Sequence, residues 1–158
     1  MAISNDAQIH PSAHVHRDAT IGPGTAVWQN SVVLAGAVIG ANCNLNAHTM
    51  VEGGATLGDR VTIKSGVYVW AGVTLEDDVF CGPNATFTND LRPRSKIYPD
   101  RFLETVVERG ASIGAGAVIL PGITIGEEAL IGAGAVVTRA VPAGETWVGN
   151  PARRVAPR

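Results

Sequence analysis

The chain has 158 residues, 46% of them hydrophobic, which is enough for one well-buried core and too little for a second, so we expect a single domain over residues 1–158. The formal net charge of -2 leaves no excess of lysine and arginine to neutralise a phosphate backbone or an anionic membrane, which weighs against nucleic acid and membranes as main partners. No apolar run reaches the ~20 residues of a membrane span and the first residues lack a signal-peptide pattern, so we expect a cytoplasmic protein with a small-molecule ligand.

An aliphatic residue occupies every sixth position for most of the chain. The series runs from Ile9 to Leu75, continues through Cys81 and Phe87, and resumes from Val107 to Val137. A small or β-branched residue follows each of these positions except Phe87 by four, and glycine recurs between them, as in IGPGTA and IGAGAV. Twenty units in one register fit neither the 3.6-residue period of a helix nor the two-residue period of a strand, and predict a solenoid.

Repeats of this kind resemble the hexapeptide-repeat acyltransferases. Their fold is a left-handed parallel β-helix with three hexapeptides in each triangular coil. The resemblance implies an all-β chain, a left-handed parallel β-helix of hexapeptide repeats with one projecting loop. With eighteen residues in a coil, the twenty units predict six or seven coils and a prism roughly 30 Å tall at ~4.8 Å per strand.

Five residues that often carry chemistry are predicted to be structural here. Cys43 and Cys81 fall on inward slots, where they are expected to act as small core residues rather than nucleophiles. His10, His14 and His16 fall on outward positions of the first coil and are interpreted as solvent-facing polar residues. We therefore expect no metal site.

Asn30, His48, Gly66 and Asn84 lie eighteen residues apart, each near a corner of its coil, and are predicted to stack in one column. Because Gly66 has no side chain, we expect His48 and Asn84 to flank an open notch, two strand spacings or roughly 10 Å apart. Histidine suits proton transfer near neutral pH, which makes His48 a candidate base. The alternative is an inert surface histidine beside an asparagine that only bonds its local backbone.

A polar segment at about residues 88–106 interrupts the repeat and contains Pro93 and Pro99. Its residues cannot continue the row of inward-facing aliphatic side chains, so we expect the segment to project from the prism, with Asn84 opening toward it. Long loops in compact domains are often functional. A tolerated surface insertion is the alternative.

The segment and its surroundings carry a more specific resemblance, in the strings NLNAHTMVE, VTIKSGVYVW, GPNATFTNDLRPRSK, LPGITIGEEALIGAGAVVTRAVP and VGNPAR. Over about residues 8 to 155 the chain resembles the N-acetyltransferases that acetylate the 3-amino group of dTDP-3-amino-3,6-dideoxyhexoses. Relatives that act on UDP-linked 3-amino-uronates share the FTN…PRS frame but differ after the asparagine. Asn89-Asp90 followed by Leu91-Arg92 therefore favours the dTDP branch.

The resemblance implies a homotrimer that binds acetyl-CoA and a nucleotide sugar in the clefts between neighbouring prisms. Transfer is direct: the sugar amine attacks the thioester, and the CoA thiolate leaves. Asn84 holds the 3-amino group and His48 is the candidate base, with the departing thiolate as the alternative proton acceptor. Asn89, Asp90 and Arg94 grip the sugar or its diphosphate, because the forked donors of arginine suit phosphate oxygens.

On the coenzyme side, the late coils IGAGAVV and VGNPARR resemble the segments that contact pantetheine and nucleotide in the family. The cofactor-binding candidates are Gly116, Gly134, Arg139 and Arg153.

Three other interpretations remain open at this point. The chain can be an acetyltransferase for a UDP-linked amino sugar or for another small hydroxyl or amine acceptor. It can be a carbonic anhydrase of the same shape, although that enzyme needs several histidines in adjacent coils and only His48 lies in the main body. A solenoid can also serve as a non-enzymatic trimeric scaffold.

Overall fold

The structure, a computed structural model, describes residues 3–156. Over these residues the chain forms twenty-two short strands and no helix. In chain order they are β1 (Gln8–Ile9), β2 (His14–Val15), β3 (Thr20–Ile21), β4 (Ala26–Val27), β5 (Val32–Val33), β6 (Val38–Ile39), β7 (Asn44–Leu45), β8 (Met50–Val51), β9 (Thr56–Leu57), β10 (Thr62–Ile63), β11 (Tyr68–Val69), β12 (Val73–Leu75), β13 (Phe80–Cys81), β14 (Thr86–Phe87), β15 (Thr105–Val107), β16 (Ser112–Ile113), β17 (Val118–Ile119), β18 (Thr124–Ile125), β19 (Leu130–Ile131), β20 (Val136–Val137), β21 (Thr146–Val148) and β22 (Arg153–Val155). None of residues 3–156 belongs to a helix that could span a bilayer.

The strands stack into three sheets, which are the faces of a prism. Face 1 has the order β1-β4-β7-β10-β13-β16-β19-β21-β22, face 2 the order β2-β5-β8-β11-β14-β17-β20, and face 3 the order β3-β6-β9-β12-β15-β18. Pairing is parallel, usually with a shift of eighteen residues, as in Ile9 with Val27. The shift is 32 across the interruption of the repeat, as in Cys81 with Ile113, and 16 where Ile131 pairs with Trp147. β22 folds back antiparallel on β21. The predicted fold class, a parallel β-helix of hexapeptide repeats, is confirmed, and its winding is consistent with a left-handed helix.

The sequence repeat explains this winding residue by residue. In each two-residue strand the second side chain points inward, and the small residue four positions later fills the inside of the corner. The inward side chains are buried from β3 onward, whereas Ile9 and Val15 at the open end of the first coil are partly buried.

Thr25 and Ser31 take two of these inner corner slots. Their hydroxyls donate to the carbonyls of Gly40 (2.7 Å) and Asn46 (2.9 Å) on the next coil. Buried polar groups are therefore satisfied, as a close-packed core requires.

Each regular corner from Gly24 to Gly134 contains a residue with positive φ, which turns the chain toward the next face. We call the corners between faces 1 and 2 the first edge, those between faces 2 and 3 the second edge, and those between faces 3 and 1 the third edge. Each edge is a vertical column, because equivalent corners repeat once per coil. Adjacent positions in a column lie ~4.8 Å apart.

The solenoid has about eight turns, more than the six or seven predicted. At the start, Ile3 bridges to Ile21 below the first predicted unit. At the end, the inward position after Val137 is Val141, four residues later instead of six, and it bridges to Ile125. The predicted number of turns was too low because the spacing shortens by two residues after Val137, so the last turn does not match a fixed six-residue period.

The projecting loop occupies residues 88–104, between β14 and β15, slightly shorter than the predicted 88–106. Coil stacking is undisturbed on both sides, since Phe87 pairs with Ile119 and Leu75 with Val107. At the loop's base, the N–H of Leu103 donates to the carbonyl of Asn89. The loop is therefore an addition at one corner of an otherwise continuous scaffold.

Candidate active site

The first edge brings together most of the residues singled out from the sequence. Its positive-φ positions form one column: Asn30 (56°), His48 (59°), Gly66 (80°), Asn84 (57°), Gly116 (66°) and Gly134 (68°). From the sequence, His48 with Asn84 and Gly116 with Gly134 are predicted as two separate groups. The structure places all four on one edge, because the 32-residue step from Phe87 to Ile119 restores the register after the loop.

The notch between His48 and Asn84 is not open as predicted. A Cβ added at Gly66 would overlap the Oδ1 of Asn84, so the carboxamide of Asn84 leans over the glycine below it. Asn42 leans over Gly24 in the same way on the third edge. The notch is filled because an asparagine with positive φ turns its side chain back toward the coil beneath. As a result the Asn84 carboxamide lies about one strand spacing, ~5 Å, above the level of His48, whereas two spacings were predicted.

Above Asn84 the positive-φ positions of the first edge are glycines and carry no side chains. A Cβ built on Gly116 or Gly134 would have no neighbouring atom within 4 Å, so the backbone is accessible from outside. The N–H groups of these residues donate to Pro83 and Ala115 of the coil below. The two glycines therefore form a smooth strip next to Asn84, which we call the glycine strip.

The two candidate arginines lie in different places. Arg153 is in β22, opposite Val148, whose side chain lies against Gly132 of the first edge. It is exposed and stands near the upper end of the glycine strip. Arg139 instead follows β20, at the second edge. Its guanidinium lies 5.2 Å from the ring centroid of Trp147, a cation–π contact that covers the end of the core.

The loop candidates lie on the second edge, at the far end of β14 from Asn84. The expectation that Asn84 opens toward the loop of its own chain was therefore wrong, because a whole strand of face 2 separates them. Asn89 and Asp90 line a concavity of about 280 Å³ together with Arg92 and Arg101, and neither His48 nor Asn84 lines it.

The loop side chains are partly engaged in local contacts. Asn89 Nδ2 donates to the carbonyl of Ala71 (3.2 Å), which fastens the loop to the second edge. Asp90 Oδ1 accepts the backbone N–H of Arg92 (2.8 Å). Arg94 lies outside the concavity, in a turn closed by a bridge to Ile97, and is exposed.

Polar side chains on the third edge have a structural explanation. Asp59 and Asp77 each accept a backbone N–H from the coil below, at 2.7 and 2.8 Å. Arg60 donates to Asp78 (2.7 Å), and this hydrogen bond, with the positive charge, holds the pKa of that carboxyl below its usual range. The carboxylates of this edge therefore cross-link successive coils.

Cys43 and Cys81 are buried free thiols, which confirms their assignment to the core. Burial raises the pKa of both, that of Cys81 to about 12. A thiol with this pKa stays protonated near neutral pH and does not act as an acyl-accepting nucleophile.

The N-terminal histidines make local turn contacts. His10 Nδ1 is hydrogen-bonded to the Ser12 hydroxyl (2.9 Å), and His16 Nδ1 accepts the N–H of Asp18 (3.1 Å). In the part of the chain that the structure describes, no three His, Cys, Asp or Glu side chains are grouped as metal ligands.

Two residues of the first edge were not predicted as site residues from the sequence. Trp28 and Lys64 directly follow face 1 strands, at the corners that also contain Asn30 and Gly66. The eighteen-residue column was predicted for only one position of each corner, the one with positive φ, so residues two places earlier were missed. The same eighteen-residue spacing, applied to the first corner position, would have found them.

Comparison with known proteins agrees with this architecture. The model of a family described as bacterial transferase hexapeptide (six repeats) matches residues 18–53, 36–69 and 104–139, more than half of the chain. A curated dTDP-3-amino-3,6-dideoxy-alpha-D-galactopyranose 3-N-acetyltransferase from Aneurinibacillus thermoaerophilus is 50% identical over 55 residues, 35% of this chain and 29% of that protein.

Two solved structures are similar over nearly the whole chain. The acetyltransferase domain of PglB from Neisseria gonorrhoeae, in complex with acetyl coenzyme A, is 29% identical with a TM-score of 0.62, covering 95% of this chain and 58% of that one. A variant of the GDP-perosamine N-acetyltransferase from Caulobacter crescentus, with CoA and GDP-perosamine, is 25% identical with a TM-score of 0.55, covering 96% and 57%. The chain thus spans less than two thirds of the length of these proteins.

Proposed function

The chain belongs to the bacterial transferase hexapeptide family, and we propose that it is an acetyl-CoA-dependent N-acetyltransferase for the 3-amino group of a dTDP-3-amino-3,6-dideoxyhexose. The observation that carries the proposal is the first edge, where a histidine, an asparagine and the glycine strip follow one another in a single exposed column. The activity named for the curated relative supports the choice of acceptor. The acetyl coenzyme A bound in a similar structure supports the choice of donor.

The glycine strip suits the thiol arm of the coenzyme. With no side chain at Gly116 or Gly134, an extended chain can lie against the backbone and end beside Asn84. Arg153, near the upper end of the strip, is available for the coenzyme's phosphates. Arg139 is assigned to the same phosphates, reaching them from the second edge of a neighbouring copy.

Chemistry then takes place at the level of Asn84. The neutral sugar amine attacks the thioester carbonyl, a C–N bond forms, and the tetrahedral oxyanion collapses with loss of CoA thiolate. Asn84 holds the amine through its carboxamide, which faces the level of His48 across Gly66. His48, or the thiolate itself, accepts the proton lost by nitrogen. Positioning of the two ligands supplies most of the acceleration.

Assembly as a homotrimer completes the site. The strand residues that point outward from face 2 are mostly apolar: Val32, Met50, Tyr68, Val118 and Val136. The corresponding residues of face 3 are mostly threonine. In a ring of three parallel prisms with face 2 turned toward the axis, the first edge of each copy lies beside the second edge of the next. The loop of one copy then covers Asn84 of its neighbour, and Asn89, Asp90 and Arg94 grip the sugar or its diphosphate.

The test is an acetyl-CoA consumption assay against dTDP-, UDP- and GDP-linked amino sugars. We expect the highest kcat/KM with dTDP-3-amino-3,6-dideoxyhexoses. Equal or better rates with UDP-linked amino sugars would reassign the acceptor. No acetyl transfer to any amine of the panel would refute the enzymatic proposal.

Asn84→Ala should lower kcat/KM by ~10²-fold or more, because both an orientation and a hydrogen bond are lost. Asn42→Ala is the matched control, since Asn42 has the same positive φ and the same packing over a glycine on the third edge. Equal activity of the two variants would show that Asn84 is only a corner residue.

The role of His48 is tested separately. A positioned base contributes ~10²–10⁴-fold, so a loss of that size in His48→Ala identifies it as the proton acceptor. A loss below about tenfold assigns the proton to the thiolate.

A further inference from the structure

We propose that the first edge below Asn84, from Lys64 to Trp28, binds the nucleoside diphosphate part of the acceptor, with Lys64 against the diphosphate and Trp28 stacked on the base. The inference rests on the proposed function, because it starts from the sugar amine at Asn84. It adds two residues to the site and fixes the direction in which the acceptor lies.

Below Asn84 the first edge carries Lys64, then His48, then Trp28, which matches amine, diphosphate and base when the ribose lies over His48. In this arrangement the departing thiolate, and not His48, accepts the proton of the amine. Lys64 belongs to the corner one coil below that of Asn84, and Trp28 to the corner two coils below that of Lys64. At ~4.8 Å per coil the three levels span roughly 14 Å. An extended nucleoside diphosphate covers such a distance. The coenzyme lies on the other side of Asn84, so the two ligands approach the reacting atoms from opposite ends.

Lys64 is a cation whose side chain has no partner among residues 3–156. It is half-buried at the corner after β10, and within residues 3–156 no carboxylate forms a salt bridge with it. Arg17, Arg60, Arg101 and Arg154 do have such partners. An unpaired lysine beside a bound diphosphate gains a charge-assisted contact and displaces no existing ion pair.

Trp28 has the features of a stacking platform. Its side chain remains 43% exposed, and its indole N–H donates to the Oδ1 of Asn44 (2.7 Å), which fixes the orientation of the ring. It borders a concavity of about 150 Å³ lined also by Gln8, Ile9, His10, Ala26 and Val27. An indole with a fixed orientation and a partly exposed face, next to an apolar concavity, is suited to stack on a nucleobase, since every base has a π face.

The experiment measures dTDP binding by isothermal titration calorimetry on the full chain. We expect Trp28→Ala and Lys64→Gln each to weaken dTDP binding by about tenfold or more, since loss of one stacked base or one phosphate contact has an effect of this size. Acetyl-CoA affinity should not change, which also shows that the variants are folded. Trp28→Phe keeps a ring and should retain most of the affinity.

Matched controls exist for both variants. Phe80 is a 37% exposed aromatic on the outside of face 1, and Arg109 is an exposed cation on the third edge with no salt bridge within residues 3–156. Phe80→Ala and Arg109→Gln should bind dTDP like the unaltered chain. An equal loss of dTDP affinity in these controls would show that the effect comes from general surface hydrophobicity or charge. It would overturn the assignment of Trp28 and Lys64 to the nucleotide site.

The outcomes separate this inference from the proposed function. Unaltered dTDP binding in Trp28→Ala and Lys64→Gln, with acetyl transfer intact in the parent chain, would overturn only the proposed nucleotide site between Lys64 and Trp28. If the parent chain binds acetyl-CoA but not dTDP, both this nucleotide site and the dTDP-linked acceptor are wrong.

Discussion

Cys81 shows how a single buried side chain makes stability depend on pH. Its thiol has no exposed surface, and burial raises its pKa from 9.0 to about 12. The folded state therefore retains the proton over a range in which the unfolded state loses it. The stabilisation is fully present below about pH 9 and is lost as pH rises toward 12. We expect the free energy of unfolding, measured with urea, to fall across this range.

The Cys81→Ala variant isolates this contribution from that of other groups that titrate in the same range. It should be less stable near neutral pH, because a small cavity is left, but its stability should fall less steeply above pH 9. Parallel curves for the variant and the parent chain would contradict the assignment. Cys43→Ala provides the comparison with the second buried thiol.

At the level of the element, the IGAG corner at the start of the late coils uses glycine twice for different reasons. A Cβ on Gly114 would lie 2.5 Å from the backbone nitrogen of Ala133 in the coil above, whereas Gly116 has open space around it but a φ of 66°. We expect Gly116→Ala to lower the free energy of unfolding by about 1 kcal/mol, the ordinary cost of a positive φ. Gly114→Ala should cost about 2 kcal/mol or more, because two rigid backbones must separate.

Urea unfolding of the two variants at neutral pH provides the comparison. A larger loss in Gly116→Ala than in Gly114→Ala would mean that backbone conformation, not coil spacing, limits this corner.

At the level of the whole molecule, the proposed site combines two edges that one prism cannot bring together. Two variants test this: Asn84→Ala, and a loop variant in which Asn89, Asp90 and Arg94 are all changed to alanine. The two are denatured together and refolded as a mixture. Each mixed trimer then contains one site with an unaltered first edge and an unaltered neighbouring loop. We expect activity to reappear in the mixture, although each variant alone is impaired.

Light scattering on each unmixed variant is the control and should give the mass of a trimer. A mixture no more active than its components, in spite of trimer exchange, would place the whole site within one chain. A monomer at working concentration would refute the proposed assembly altogether.

The sequence predicted the fold and the columns well, because a six-residue register leaves one way to stack residues eighteen apart. His48 and Asn84 were assigned to one edge by this arithmetic alone. The position of the Asn84 carboxamide over Gly66 could not be derived, since it depends on the side-chain direction set by a positive φ. The slip after Val137 was missed because nothing in a periodic pattern marks a corner shortened by two residues.

The unbroken pairing on either side of the loop has a consequence for how this protein can diversify. Phe87 and Val107 remain in register with their coils, so the length of residues 88–104 is not constrained by the scaffold. The entropy of closing a surface loop grows only slowly with its length, about 0.6 kcal/mol per doubling. If the proposed function is correct, insertion, deletion or exchange of this segment changes acceptor choice and leaves the first edge unchanged, so new specificities can be engineered by replacing residues 88–104 alone.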